Sequence, residues 1–176
     1  AFRWTEETGV VRLGAPIGYW EHPQEEEFGH TRVTAMSMDG SVIVGTIGSE
    51  RLDHIRRYGQ AFVWTEETGM VPLGVLPGAT SSTPTAVSSD GSVIIGYCAS
   101  TGGTENFLWT AETGMVGLDD LLGGNSGDRH LWVSKDASVI LGYNGQEAFR
   151  WTAETGIVDL GDLPAGAFYS RAFGSS

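Results

Sequence analysis

Cysteine, basic residues and long apolar runs are all scarce in this chain, and each scarcity excludes something. A single cysteine, Cys98, means that no internal disulfide can form. That does not exclude export, because bacterial surface proteins often do without disulfides. Cys98 ends the apolar run Val93-Ile94-Ile95-Gly96-Tyr97-Cys98, which marks it for buried packing rather than reactive thiol chemistry. Lys and Arg total 10 against 22 Asp and Glu, for a net charge of −12. A nucleic-acid groove needs a basic stripe that displaces counterions, so no nucleic-acid partner is expected. The same charge disfavours anionic membrane surfaces. No apolar run approaches the roughly 20 residues of a spanning helix, so no membrane insertion is expected. Long stretches of 3.6 periodicity are missing as well, which removes helical architectures. There is no initiator Met and no leader pattern, and the chain opens mid-pattern at Ala1-Phe2-Arg3-Trp4. The expectation is a processed or excerpted piece of a longer product.

Internal repetition is abundant. Residues 1–14, 61–74, 106–119 and 148–161 align without gaps around Phe-x-Trp-Thr-x-Glu-Thr-Gly, with Trp4, Trp64, Trp109 and Trp151 in register. A second block precedes three of them, at residues 35–45, 86–96 and 132–142, around Ser-x-Asp-Gly-Ser-Val-Ile-x-Gly. Asp-Gly between apolar runs is a hairpin signal, because both residues tolerate a positive φ. Each unit therefore reads as four strands. Strand a ends at Ser37 and turns through Asp39-Gly40, and strand b covers 41–46. Strand c covers 61–65, with Phe62 and Trp64 on one face and Ala61 and Val63 on the other. A Glu66-Glu67-Thr68-Gly69 turn leads to strand d, 70–73. Four-stranded meanders at this period are what a β-propeller blade needs. In such blades the Phe-x-Trp pair supplies the broad contact between sheets, and Ala or Gly opposite lets the next sheet approach. All four tryptophans are expected in the core.

The fold expectation is thus all-β: one tandem-repeat domain over 1–176, a propeller of antiparallel meander blades with about three and a half repeats. The units fall near 1–14, 33–75, 84–121 and 130–163, with a partial one at 170–176. Hairpins c–d occur four times and a–b three times. Either the chain is part of a larger ring, or a homo-oligomer completes the ring between copies, or a small ring closes with one defective blade. Asp136-Ala137 departs from Asp-Gly, so that turn is expected to be strained or of another type.

The combined pattern, with Leu73-Gly74-Val75-Leu76-Pro77-Gly78 as its clearest tail, resembles the HAF repeat, a family of extracellular bacterial repeats. The resemblance covers nearly the whole chain except about 17–32 and 48–60. It implies export, extracellular or at the cell surface, and a repeat fold. It implies no catalytic residues and no cofactor.

In an up-and-down blade the a–b and c–d turns share one end, and the b–c and d–a connections share the other. The first end repeats uniformly here. Length variation is confined to the second, in d–a connections 15–32, 76–84 and 122–130 and b–c loops 48–60, 97–105 and 143–147. Rigid scaffolds usually carry binding on such loops. The two longest insertions belong to one unit and hold three of the four histidines and the basic cluster Arg51, Arg56, Arg57. One reading pairs the acidic run 25–27 with those arginines as loop packing. A second makes Tyr19, Trp20, His22, His54, Arg56 and Tyr58 a patch for a carbohydrate or protein partner. A third, with ligand types that suit zinc but no known spacing, is a metal site of His22, Glu26, His30 and His54. Catalysis has little support: no Gly-x-Ser-x-Gly elbow appears, and the Glu-Thr-Gly carboxylates recur in every unit. Asp39, Asp90 and Asp136 recur too, which suits Asx-turn duty rather than calcium. The functional expectation is a binding, adhesion or assembly module; the alternative is a secreted polysaccharide hydrolase or lyase centred on the long loops.

Overall fold

The structure, a computed structural model, describes residues 1–14, 29–49, 58–118, 131–143, 148–152 and 154–161. The side chains of His30, Ser49, Tyr58, Tyr143 and Ile157 also lie outside the description. Among the described residues, β1 (Phe2–Thr5) and β2 (Gly9–Arg12) form a two-stranded hairpin. Three four-stranded sheets follow, each an antiparallel meander in chain order. Blade 1 is β3 (Gly29–Met36), β4 (Val42–Ser49), β5 (Tyr58–Thr65) and β6 (Gly69–Gly74). Blade 2 is β7 (Ser81–Val87), β8 (Val93–Ser100), β9 (Gly103–Thr110) and β10 (Gly114–Gly117). Blade 3 is β11 (Leu131–Val133), β12 (Ile140–Tyr143), β13 (Ala148–Thr152) and β14 (Gly156–Asp159). The all-β expectation and the a-b-c-d order stand.

Several strands run past their expected ends. β8 and β9 pair as far as Ser100 opposite Gly103, so most of 97–105 is hairpin rather than loop. β4 and β5 likewise pair out to Ser49 opposite Tyr58. Polar and glycine-rich composition there looks like loop, but cross-strand pairing needs only a partner in register, not an apolar sequence.

The sheets stack through alternating faces. On each blade the front, toward the preceding unit, carries the Phe-x-Trp pair, and the rear carries the aliphatic residues between. Phe62, Trp64, Ile43, Ile47 and Met70 on the front of blade 1 close over Leu13 of the first hairpin. Val44, Ala61 and Val63 on its rear meet Ile94 and Phe107 of blade 2. Ile95 and Leu118 of blade 2 meet Leu131, Ile140 and Phe149 of blade 3. Each fully buried Phe, Leu or Ile contributes about 1.5–3 kcal/mol. No single sheet buries both faces by itself, which is why the units need each other.

The small residues serve two distinct purposes. Ala61, fully buried on the rear, admits the neighbouring sheet as expected. The glycine ending Val-Ile-x-Gly does not. It lies on the front face, directly across from the Phe of its own sheet: Gly45 opposite Phe62, Gly96 opposite Phe107, Gly142 opposite Phe149. The ring folds down over it. A Cβ would stand 2.1 Å from the Arg32 carbonyl at Gly45 and 2.2 Å from the Thr83 carbonyl at Gly96, with the ring at 2.7 Å in both, and 2.2 Å from the ring at Gly142.

One expectation about the core fails. Trp64 is 5% exposed and Trp109 and Trp151 are half-buried, but Trp4 is 64% exposed. Among the described residues no sheet packs on the front of the first hairpin, where Phe2 and Val10 are exposed along with Trp4.

Candidate functional site

The two ends of the sheets differ in chemistry. At the a–b end each turn is built from one carboxylate. Asp39 Oδ1 accepts from Ser37 Oγ (2.7 Å), the Ser41 amide (2.9 Å) and Ser41 Oγ (2.7 Å), while Ser37 Oγ accepts from the Val42 amide. The same set recurs around Asp90 and Asp136. Donors crowding a carboxylate favour its charged form. Asp39 is held at about 2, chiefly by the Ser41 amide, and Asp136 at about 2, chiefly by the Ser134 hydroxyl. Asp90 is lowered too, with the Ser88 hydroxyl as the largest cause. These are Asx turns, with oxygens already committed to their own backbone. The Asp136-Ala137 turn is of the same type, and its strain is located: Ala137 adopts φ 59°, where Gly40 and Gly91 stand at 69° and 75°.

These turns are also tied to one another. The Met38 amide donates to the Ser89 carbonyl, and the Ser89 amide donates to the Lys135 carbonyl, both at 3.1 Å. The residue after each turn serine thus forms a directional belt from blade to blade. The c–d turns at the same end are closed by paired threonines, with Thr68, Thr113 and Thr155 amides donating to Thr65, Thr110 and Thr152 hydroxyls. Their Glu residues face solvent. Arg3 Nη1 reaches Glu66 at 3.1 Å and lies over the Trp64 ring, which fastens the first hairpin to blade 1.

The opposite end holds the candidate site. Tyr19, Trp20, His22, Glu26, His54 and Arg56 lie outside the described residues. Two members of the sequence-derived sets have a placed backbone. His30 pairs with Gly48 and Tyr58 with Ser49, on adjacent rungs at the b–c end of blade 1. That places them at the end where both long insertions attach.

At the same end of blade 2 lies a cleft of about 280 Å³, between Pro77-Gly78-Ala79 of the d–a connection and the β8–β9 hairpin, with Cys98 and Glu105 among its lining residues. Nothing in the sequence pattern marked it, since its walls are repeat-spacing residues and a short turn. Ser100 Oγ is occupied, donating to the Gly103 carbonyl and accepting the Gly102 amide. Cys98, opposite Glu105 in register, accepts from the Leu76 amide at 3.5 Å and meets Met115 Sδ at 3.6 Å. Burial pushes its thiol up; the Leu76 amide opposes this, and the Glu105 charge adds to it. A protonated thiol beside a carboxylate is poorly set for nucleophilic attack. The cleft can receive a small polar group, but it holds no activated nucleophile among its described residues.

No family model and no curated protein matches the chain. Solved structures do. TolB from Acinetobacter baumannii aligns over 76% of this chain and 33% of its own, at 13% identity and a TM-score of 0.51. The β-propeller domain of the Trilobed protease from Pyrococcus furiosus aligns over 76% of this chain and 43% of its own, at 11% identity and a TM-score of 0.52. The chain therefore spans less than half the length of either. Identities this low carry the fold and nothing further. Meander blades stacked aromatic front on aliphatic rear, together with that likeness, make this chain a stretch of β-propeller.

Proposed function

We propose that the chain is a secreted or cell-surface propeller module of HAF-repeat type, used for binding, adhesion or extracellular assembly. The observation that carries this reading is the contrast between the two ends. The three a–b turns spend their Asp carboxylates and Ser hydroxyls on closing themselves, and the four c–d turns spend their Thr hydroxyls the same way. Sequence variety gathers at the other end, where the one unit with two long insertions brings Tyr58 and His30 to neighbouring rungs. Tyr19, Trp20, His22, His54, Arg56 and Tyr58 are the proposed ligand patch there. Aromatic faces with a guanidinium and imidazoles suit a carbohydrate, or a protein surface with acceptors to offer.

The test replaces Tyr19, Trp20, His54 and Arg56 together by Ala and compares both proteins on a glycan array and against extracellular proteins. Loss of a ligand bound by the native chain, with the β circular dichroism unchanged, supports the patch. Unchanged binding sinks it. Polysaccharide turnover by the native chain that vanishes in Glu26→Ala and His54→Ala would replace the binding module with an enzyme.

A further inference from the structure

Three side chains that the proposed loop patch does not use meet on the front face of blade 2, beside the cleft. Cys98 on β8 and Glu105 on β9 share a rung, and Met115 on β10 reaches across to Cys98. The Cys98 thiol donates to Met115 Sδ at 3.6 Å, so the two sulfurs face each other with one proton between them. Glu105 lays its carboxylate over Gly117, where a Cβ would collide with Oε1, and its charge acts on the Cys98 thiol. Packing alone does not call for this set. In blade 1 the equivalent positions hold Ile47, Gln60 and Met70, with Ile47 opposite Gln60 two residues beyond the notch glycine that the Phe ring covers. Ile47 and Met70 sit there in a purely apolar cluster. Blade 2 exchanges the aliphatic for a thiol and the amide for a carboxylate. The cleft of about 280 Å³ opens onto that exchange, with Cys98 and Glu105 in its lining.

We propose that Cys98 and Met115, with Glu105 beside them, bind one copper(I) ion that enters through this cleft. Thiolate and thioether sulfurs are the soft donors that select copper(I). A metal–sulfur bond of about 2.3 Å lets one ion bridge sulfurs up to about 4.6 Å apart. The observed 3.6 Å is therefore spanned without moving either strand, and it leaves the bridged ion bent, with room for a third donor. Binding is an exchange with no change of oxidation state. The Cys98 S–H bond breaks, its proton passes to water, and a copper–sulfur bond forms; Met115 Sδ gives the ion the lone pair that the thiol proton had engaged. The Glu105 carboxylate, which disfavours a bare thiolate, attracts the cation. Zinc is a poorer occupant, because its structural sites take four N, S or O donors. Among the described residues no three His, Cys, Asp or Glu are gathered to supply them.

The experiment titrates the 176-residue chain anaerobically with copper(I) in competition with bicinchoninate, whose coloured complex reports the ion not held by the protein. One ion per chain, with an ultraviolet thiolate-to-copper charge-transfer band, is the expected result. Cys98 is the chain's one cysteine, so that band reports this site alone. Cys98→Ala should abolish it. Met115→Leu conserves volume and keeps the thiol, and it should weaken binding about tenfold or more. Met70→Leu, the same change at the equivalent place in blade 1, should leave the affinity at the native value. Circular dichroism checks the fold of each variant, and Met115→Ile takes the place of Met115→Leu if the latter loses its β signal. A native chain that takes no copper(I), a band that survives Cys98→Ala, or a folded Met115 variant that binds as tightly as native overturns the site. The loop patch contains no cysteine, so its array test stands or falls independently of this one.

Discussion

Ala137 is the one residue other than glycine with a positive φ among the described residues, and replacing it with glycine tests the account of the turns directly. An L-residue in the left-handed region costs roughly 1–2 kcal/mol. Against that, glycine loses about 0.4–1 kcal/mol by widening the unfolded ensemble. The expected balance for Ala137→Gly is a gain of about 1 kcal/mol, or roughly 2–4 °C in Tm for a chain of this size. The sibling turns calibrate the sign. A Cβ at Gly40 meets nothing within 4 Å, so Gly40→Ala carries the backbone strain alone. It should lose about 1 kcal/mol. A Cβ at Gly91 stands 2.3 Å from Val42 Cγ2 across the blade interface, so Gly91→Ala adds overpacking. Its expected loss is about 2–4 kcal/mol. Thermal melts followed by circular dichroism would rank the three as Ala137→Gly above native, then Gly40→Ala, then Gly91→Ala. A destabilised Ala137→Gly, or a Gly91→Ala as mild as Gly40→Ala, refutes the reasoning.

Two other substitution sets follow from buried or clustered polar groups. Ser82 is fully buried and bridges blades 2 and 1, accepting from the Ala61 amide at 2.8 Å and donating to the Gly74 carbonyl at 2.6 Å. Ser82→Ala strands both backbone groups and should cost about 1–3 kcal/mol in urea unfolding; a midpoint unmoved from native would contradict the bridge. Asp39, Asp90 and Asp136 have folded pKa values below their ordinary value of 3.8, so the stability they contribute is complete above that pH and is lost as pH falls toward about 2. The melting temperature should decline across that window, and a triple Asp→Asn variant should start lower at neutral pH and decline less steeply there. A variant that tracks the native curve would remove the turns as its cause.

Strand order was legible because the information is local and periodic. Asp-Gly needs its hairpin, and Phe-x-Trp alternation needs a two-faced strand, whatever lies far away. Strand ends were less legible. At 97–105 the residues are small and polar, and only the partner strand across the turn decides that they pair. The role of Gly45, Gly96 and Gly142 was misplaced for a similar reason: sequence reports that a glycine is there, but not which ring covers it. Trp4 was expected in the core because its motif matches Trp64 residue for residue, yet burial depends on a neighbouring sheet that the motif does not encode. The cleft beside Cys98 had no sequence signal, since it forms only where the d–a connection meets the β8–β9 hairpin. Of the proposed patch, only Tyr58 has a placed backbone, because the repeat reaches it through β5.

The Gly–Phe notch has a consequence for how such proteins diversify. From notch glycine to its phenylalanine the chain travels 17 residues in blade 1, 11 in blade 2 and 7 in blade 3. The alignment of strands b and c is nonetheless identical, because a one-residue slip would drive the ring onto a side chain. The lock sits inside the sheet, so whatever is spliced into the connection beyond it leaves the interior undisturbed. That makes this connection a natural port for grafting foreign recognition sequences.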